Sequence, residues 1–158
     1  MDSRTLLSYL PQLTGKRAIQ PVYDDYSLQW VLNHARQMYL FGTLQSVLVR
    51  DQSGEVMGWY LYYLKPGDTS TVIQIVAREN SFNKILDHLF EHARRRGATA
   101  LIGRLEAQYI QELSDKYCWF DRFSGWTLIH SKNSEVLHAI QRGDAFLSRL
   151  EGEWCLQF

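Results

Sequence analysis

Cysteine is scarce in this chain, with only two in 158 residues. Cys118 and Cys155 stand far apart and belong to no CxxC or Cys/His cluster, so the sequence carries no zinc or redox motif. Two buried thiols in a reducing compartment are the expectation. No apolar run approaches the roughly 18 residues that span a bilayer. The opening Met1-Asp2-Ser3-Arg4 has no long apolar stretch of the kind a signal peptide needs. Cytoplasm, with no membrane partner, is therefore expected. An excess of one charge is missing too. Lys+Arg and Asp+Glu number 17 each, so no net field recruits nucleic acid or anionic lipid. The run Arg94-Arg95-Arg96 reads as a solvated helix end, where cations complement the carbonyl pole. Prolines number three, and no repeat or linker-length Pro/Gly tract interrupts the chain. Residues 1–158 thus read as one domain, with 1–17 a leading helix and linker.

What is present is apolar and ordered in pattern: 46% hydrophobic against 22% charged residues, enough to bury a core. Residues 3–10 read as a short helix and 18–22 as an edge strand, the one place in a sheet that tolerates Pro21. Asp24 or Asp25 caps a helix running to about Met38, with Leu28, Val31, Leu32 and Ala35 on one face. Strands 46–50 and 56–64 flank the turn signature Asp51-Gln52-Ser53-Gly54, and a third strand covers 70–76. The middle strand is apolar at nearly every position, as a strand covered on both faces must be. Phe82, Ile85, Leu86, Leu89, Phe90 and Ala93 form the stripe of a helix over 82–96, closed by Gly97. A strand (99–105), a helix (107–117), a strand (125–130), a helix (135–141) and a last strand (152–158) complete the order. The fold class is mixed α/β: a mostly antiparallel twisted sheet with helices on both faces.

Several segments carry a resemblance. "GEVMGWYLYYL" has a hairpin return with glycine before the strand. "ILDHLFEHARRRGATAL" has a helix ending in Arg-Gly and a strand behind it. "LSDKYCWF" lies where a helix end is often written "LYEKLGF", and "AIQPVYDD" reads as an opening strand and following acid. In this order, over about residues 18–158, the chain resembles the GNAT superfamily of N-acetyltransferases. The resemblance implies transfer of an acyl group from acetyl-CoA, or another acyl-CoA, to a small-molecule or peptide amine. It implies a thioester held where the third strand and its neighbour splay apart, beside Ile75 and Val76. It also implies a pyrophosphate on backbone N–H groups at the start of the amphipathic helix, along Arg78, Asn80, Ser81, Asn83 and Lys84, a place with free donors and positive dipole. The acid that protonates the departing thiolate is then Ser114, by the "LYEKLGF" register, or Tyr117 beside it.

The chain departs from the family pattern at three points. The phosphate loop, [Q/R]-x-x-G-x-[G/A] in the family, reads Ala77-Arg78-Glu79-Asn80-Ser81-Phe82-Asn83-Lys84 and holds no glycine in either register. Asn tolerates left-handed geometry, and Asn80 or Ser81 can cap the helix. Gln74 stands where some members carry an acidic base, and an amide takes no proton there. No general base is identifiable: Glu106 at a strand end is an alternative, but a lone Glu at a strand-to-helix junction is more often a capping or solvated residue. His88 and His92 at i, i+4 have no third ligand in view, so no metal is expected. Trp59 and Tyr63 point to one sheet face, Tyr60 and Tyr62 to the other, as core, as pocket lining or as a partner surface. The segment 143–154 resembles the end of tandem two-domain members, in which one half can be degenerate. Two functions follow: an N-acyltransferase, or a GNAT-fold binding or assembly module without turnover. A homodimer, or pairing with a second GNAT-like domain through an exposed sheet face or edge, is the expected assembly; the alternative is a leading helix folded over that face.

Overall fold

The computed structural model describes residues 2–15, 17–121 and 129–151. Its helices start where the sequence offers caps. Asp2 accepts the Thr5 N–H at 2.8 Å and opens α1 (Ser3–Leu13). Asp24 and Ser27 form a reciprocal capping box that opens α2 (Asp25–Gln37). Helix α1 runs past residue 10 and through Pro11, contrary to expectation. A proline in the last turn forfeits a single helical bond. Burial of Leu13 at 9% exposure and a Thr14 hydroxyl bond to the Leu10 carbonyl at 2.8 Å compensate.

Four strands form the sheet in the order β1 (Thr43–Arg50), β2 (Val56–Leu64), β3 (Thr69–Ala77) and β4 (Ala100–Ile102). The first two pairings are antiparallel and the β3–β4 pairing is parallel. The predicted hairpin turn forms, with the Asp51 carboxylate accepting from Ser53 and Glu55 N–H groups and Gly54 at φ 88°. Every residue of β2 is buried. Trp59, Leu61 and Tyr63 pack with α1 and α2, while Tyr60 and Tyr62 pack under α3 (Phe82–Arg95), so both faces carry helices. Gly58 is required by closeness: a Cβ there would lie 2.2 Å from the Val76 carbonyl oxygen.

The predicted strand at 18–22 does not form. Ile19 makes a single parallel bridge to Ala145, its N–H donating to Asp144 O and its carbonyl accepting from Phe146 N. This segment joins the C-terminal part of the chain rather than the sheet, and Pro21 supplies no donor to extend the pairing. The helix predicted over 107–117 is shorter, a 3-10 turn (Ala107–Tyr109) followed by α4 (Ile110–Asp115). Tyr117 lies beyond it in left-handed geometry, φ 57°. Helix α5 (Ser134–Gln141) is capped by Asn133. The expected strand 152–158 lies outside the described residues, as does 125–130 apart from Ile129 and His130.

Candidate functional site

Strands β3 and β4 stay together for three rungs, Thr69–Ala100, Ser70–Leu101 and Thr71–Ile102. They part there for local reasons. The β2–β3 register slips between Leu61, opposite Gln74, and Tyr62, opposite Val72, which leaves Ile73 as an extra residue. Such a bulge bends the strand and re-aims its side chains. It puts Ile73 and Val76 with the α1–α2 core, and Val72 and Ile75 toward α3. Opposite Val72 stands Gly103, where a Cβ would come within 3.3 Å of the valine Cβ.

Beyond this point lies a cavity of about 950 Å³ between β3, α3, α4 and the chain after β4. That is near the upper end of ligand-site volumes. Val72, Ile75, Leu86, Leu89, Leu101 and Leu113 form apolar walls. The C-terminal segment closes one end by taking up the β3 edge that β4 leaves. Arg149 N–H donates to Ile73 O at 2.9 Å, and Arg104 Nη1 donates to Leu147 O at 2.7 Å.

This closed end is polar. Gln74 lines it, accepting from Trp59 Nε1 at 2.8 Å and donating to Ser148 Oγ at 3.2 Å and Glu151 Oε1 at 2.9 Å. Glu151 also accepts from the Tyr23 hydroxyl at 3.1 Å and from both the N–H and hydroxyl of Ser148. Burial pushes the Glu151 carboxyl above the usual carboxylate range despite these donors. The Gln74 amide is thus a structural link. Glu106 faces the same end, half-buried, with Gln108 Nε2 donating to its carboxylate at 2.8 Å. Burial raises its pKa as well, with the Glu151 charge adding and Arg104 and Arg17 opposing. Tyr109 stacks on Phe82 with centroids 3.5 Å apart, and burial pushes its phenol up to about 12.

The residues named from the family pattern are distributed unevenly around the cavity. Ile75 lines it; Val76 faces the opposite core. Arg78, Asn80, Ser81, Asn83 and Lys84 lie at the start of α3, outside the cavity lining. Arg78 is paired with Asp51 at 3.6 Å. Asn80 adopts φ 60°, the left-handed geometry that a glycine would otherwise supply. Ser81 takes the N-cap position but makes no side-chain cap bond. Tyr117 stands at the cavity mouth, 96% exposed, rather than packed in the core; Ser114 is exposed on α4 and does not line the cavity. His88 and His92 each share a hydrogen bond through Nδ1 with a tyrosine hydroxyl, Tyr60 at 2.8 Å and Tyr62 at 2.9 Å. Tyr109, Ser148 and Glu151 were missed by motif reading. An aromatic three positions after Glu106 was the one local signal.

No protein-family model and no curated protein sequence matches the chain. Solved structures are similar to it. A Trypanosoma brucei acetyltransferase superimposes at TM-score 0.55 with 15% identity, over 82% of this chain and 96% of that one. A ribosomal-protein-alanine N-acetyltransferase from Brucella melitensis gives TM-score 0.51 and 15% identity over 82% and 96%. A glucosamine-6-phosphate N-acetyltransferase from Arabidopsis thaliana gives 0.53 and 10% over 84% and 94%. At such identities the likeness is one of fold.

Proposed function

On the fold it shares with the GNAT N-acetyltransferases, we propose that this chain is an N-acyltransferase that moves an acetyl or other acyl group from acyl-CoA to an amine. One observation carries the reading: the parting of β3 and β4 opens a cavity that ends on a half-buried carboxyl, Glu106. The pantetheine arm lies along β3 at Ile75 and Val76, and the pyrophosphate on the α3 start from Arg78 to Lys84. The amine nitrogen attacks the thioester carbonyl while Glu106 takes its proton. The C–S bond breaks, and a phenol returns a proton to the sulfur. Tyr109, inside the cavity, and Tyr117, at its mouth, are the phenols available; Ser114 is the more distant hydroxyl. Acyl-CoA supply sets the reaction in the cytoplasm. Calorimetric titration with acetyl-CoA and longer acyl-CoAs, followed by measurement of thiol release with added amines, tests the proposal. Binding with release is the expected outcome; no heat with any acyl-CoA would end it.

A second reading, a binding or assembly module without turnover, has its own support. Residues 78–84 hold no glycine, and Phe82, in the first turn of α3, fills space against Tyr109 with its ring. Acyl-CoA binding without thiol release across a broad amine panel favours this reading. For assembly, we propose a homodimer, or pairing with a second GNAT-like domain, through the outer edge of β1. That edge pairs with no strand among the described residues.

A further inference from the structure

One cationic side chain in the cavity wall stands without a partner among the described residues. Four cationic side chains line the cavity: Arg94, Arg104, Lys116 and Arg149. Three are engaged, Arg94 by Glu91, Lys116 by Asp87 and Arg104 by the Leu147 carbonyl. Arg149 is the exception. Its backbone is fixed on β3 through Ile73 O, yet its guanidinium has no partner among the described residues. The nearby acids have other partners: Glu106 accepts from Gln108, Glu151 accepts from Gln74, Tyr23 and Ser148, and Asp121 has contacts of its own. Arg17 and Arg104 add charge close to Glu106. The planar fork of a guanidinium fits carboxylate or phosphate oxygens two at a time.

We infer that Arg149 binds an anionic group, carboxylate or phosphate, on the amine acceptor, which makes the acceptor an acidic amine rather than a neutral one. The word acceptor rests on the acyl-transfer reading; the anion site does not. Amine pairs that differ in one charge test it: β-alanine against β-alaninamide, and 2-aminoethyl phosphate against ethanolamine. Binding to the full chain is measured by ligand-observed NMR without acyl-CoA, alongside calorimetry with acetyl-CoA. At least one anionic member should bind about tenfold or more tighter than its neutral partner, equivalent to roughly 1.4 kcal/mol. Arg149→Gln should bring that ratio close to one, and Arg149→Lys should fall between, keeping charge but losing the fork. Which pair shows the ratio identifies the anion. Equal binding within both pairs, an unchanged ratio in Arg149→Gln, or no binding of any of the four at millimolar concentration would overturn the inference. Should Arg149→Gln fail to fold, the wild-type ratios decide. If the anionic preference holds while acetyl-CoA does not bind, the anion site stands and the acyl-transfer reading falls.

Discussion

Glu106 can take a proton only when ionised, and its surroundings set where that happens. Burial raises its carboxyl above 4.5, with Arg104 and Arg17 pulling the other way. The acid limb of kcat/KM should therefore lie above the range of an ordinary glutamate. Glu106→Gln should lower kcat by about a hundred- to ten-thousandfold and abolish that limb, with acetyl-CoA affinity by calorimetry nearly unchanged. A variant retaining full kcat would move the base elsewhere. Glu151 makes a separate prediction about stability. Its pKa is raised in the fold, so its contribution is fully present below the unfolded value near 4.5 and is lost as pH rises through the folded value. Glu91 has the opposite sign: Arg94 and Arg95 hold it at about 2, so its contribution is lost only at strongly acid pH. The difference in urea midpoint between wild type and Glu151→Gln should shrink as pH rises from below 4.5 to neutrality. Equal slopes would show that Glu151 does not titrate in this window. Little of this was legible in the sequence. Glu106 read in the sequence as a capping or solvated residue at least as readily as a base, and Glu151 gains its role from Gln74, 77 residues away in the chain. Alignment to a helix-end motif picked Ser114 by position, and position alone does not tell which side of α4 meets the cavity.

Elements with strong local signals were legible, and those that depend on distant partners were not. The β2 strand and the α3 stripe announced themselves by unbroken burial and helical spacing, because each must fill a core on its own pattern. The extra residue at Ile73 left no mark in the sequence, since a bulge is a property of two paired strands. Yet it sets where β3 and β4 part, and so where the cavity opens. Two tests belong at this scale. Gly58→Ala would drive a Cβ to 2.2 Å from Val76 O and should cost roughly 1–3 kcal/mol by overpacking, read as a lower urea midpoint; unchanged stability would mean the strands can separate freely there. At the start of α3, replacing Ser81 or Asn83 by Pro removes a backbone donor. Acetyl-CoA binding should weaken by more than about tenfold, roughly 1.4 kcal/mol, and unchanged affinity in both variants would put the pyrophosphate elsewhere.

At the scale of the molecule, the distribution of aromatic side chains decides where a partner can bind. The surplus of aromatics in Val56–Leu64 suggested a sheet face left for a second copy, but Trp59, Tyr60 and Tyr62 are each 0% exposed. Helices α1 and α2 cover one face and α3 the other, so a face-to-face sheet contact is ruled out by burial. The edge remains. Strand β1 ends the sheet among the described residues, and a row of unpaired N–H and C=O groups on an edge is a template for another chain. Tyr39 and Leu40, just ahead of it in the chain, are 79% and 90% exposed. A net charge of zero offers little repulsion between copies, and a two-fold arrangement is the commonest closed solution. Trp154, in the C-terminal tail, lies outside the described residues. Sedimentation equilibrium at micromolar concentrations should give a mass that rises with concentration from 18.5 kDa toward twice that value. Leu40→Lys should shift the association to concentrations about tenfold higher, the scale of a single apolar contact placed against charge. A mass of 18.5 kDa at every concentration would leave β1 as a solvated edge and the chain as a monomer.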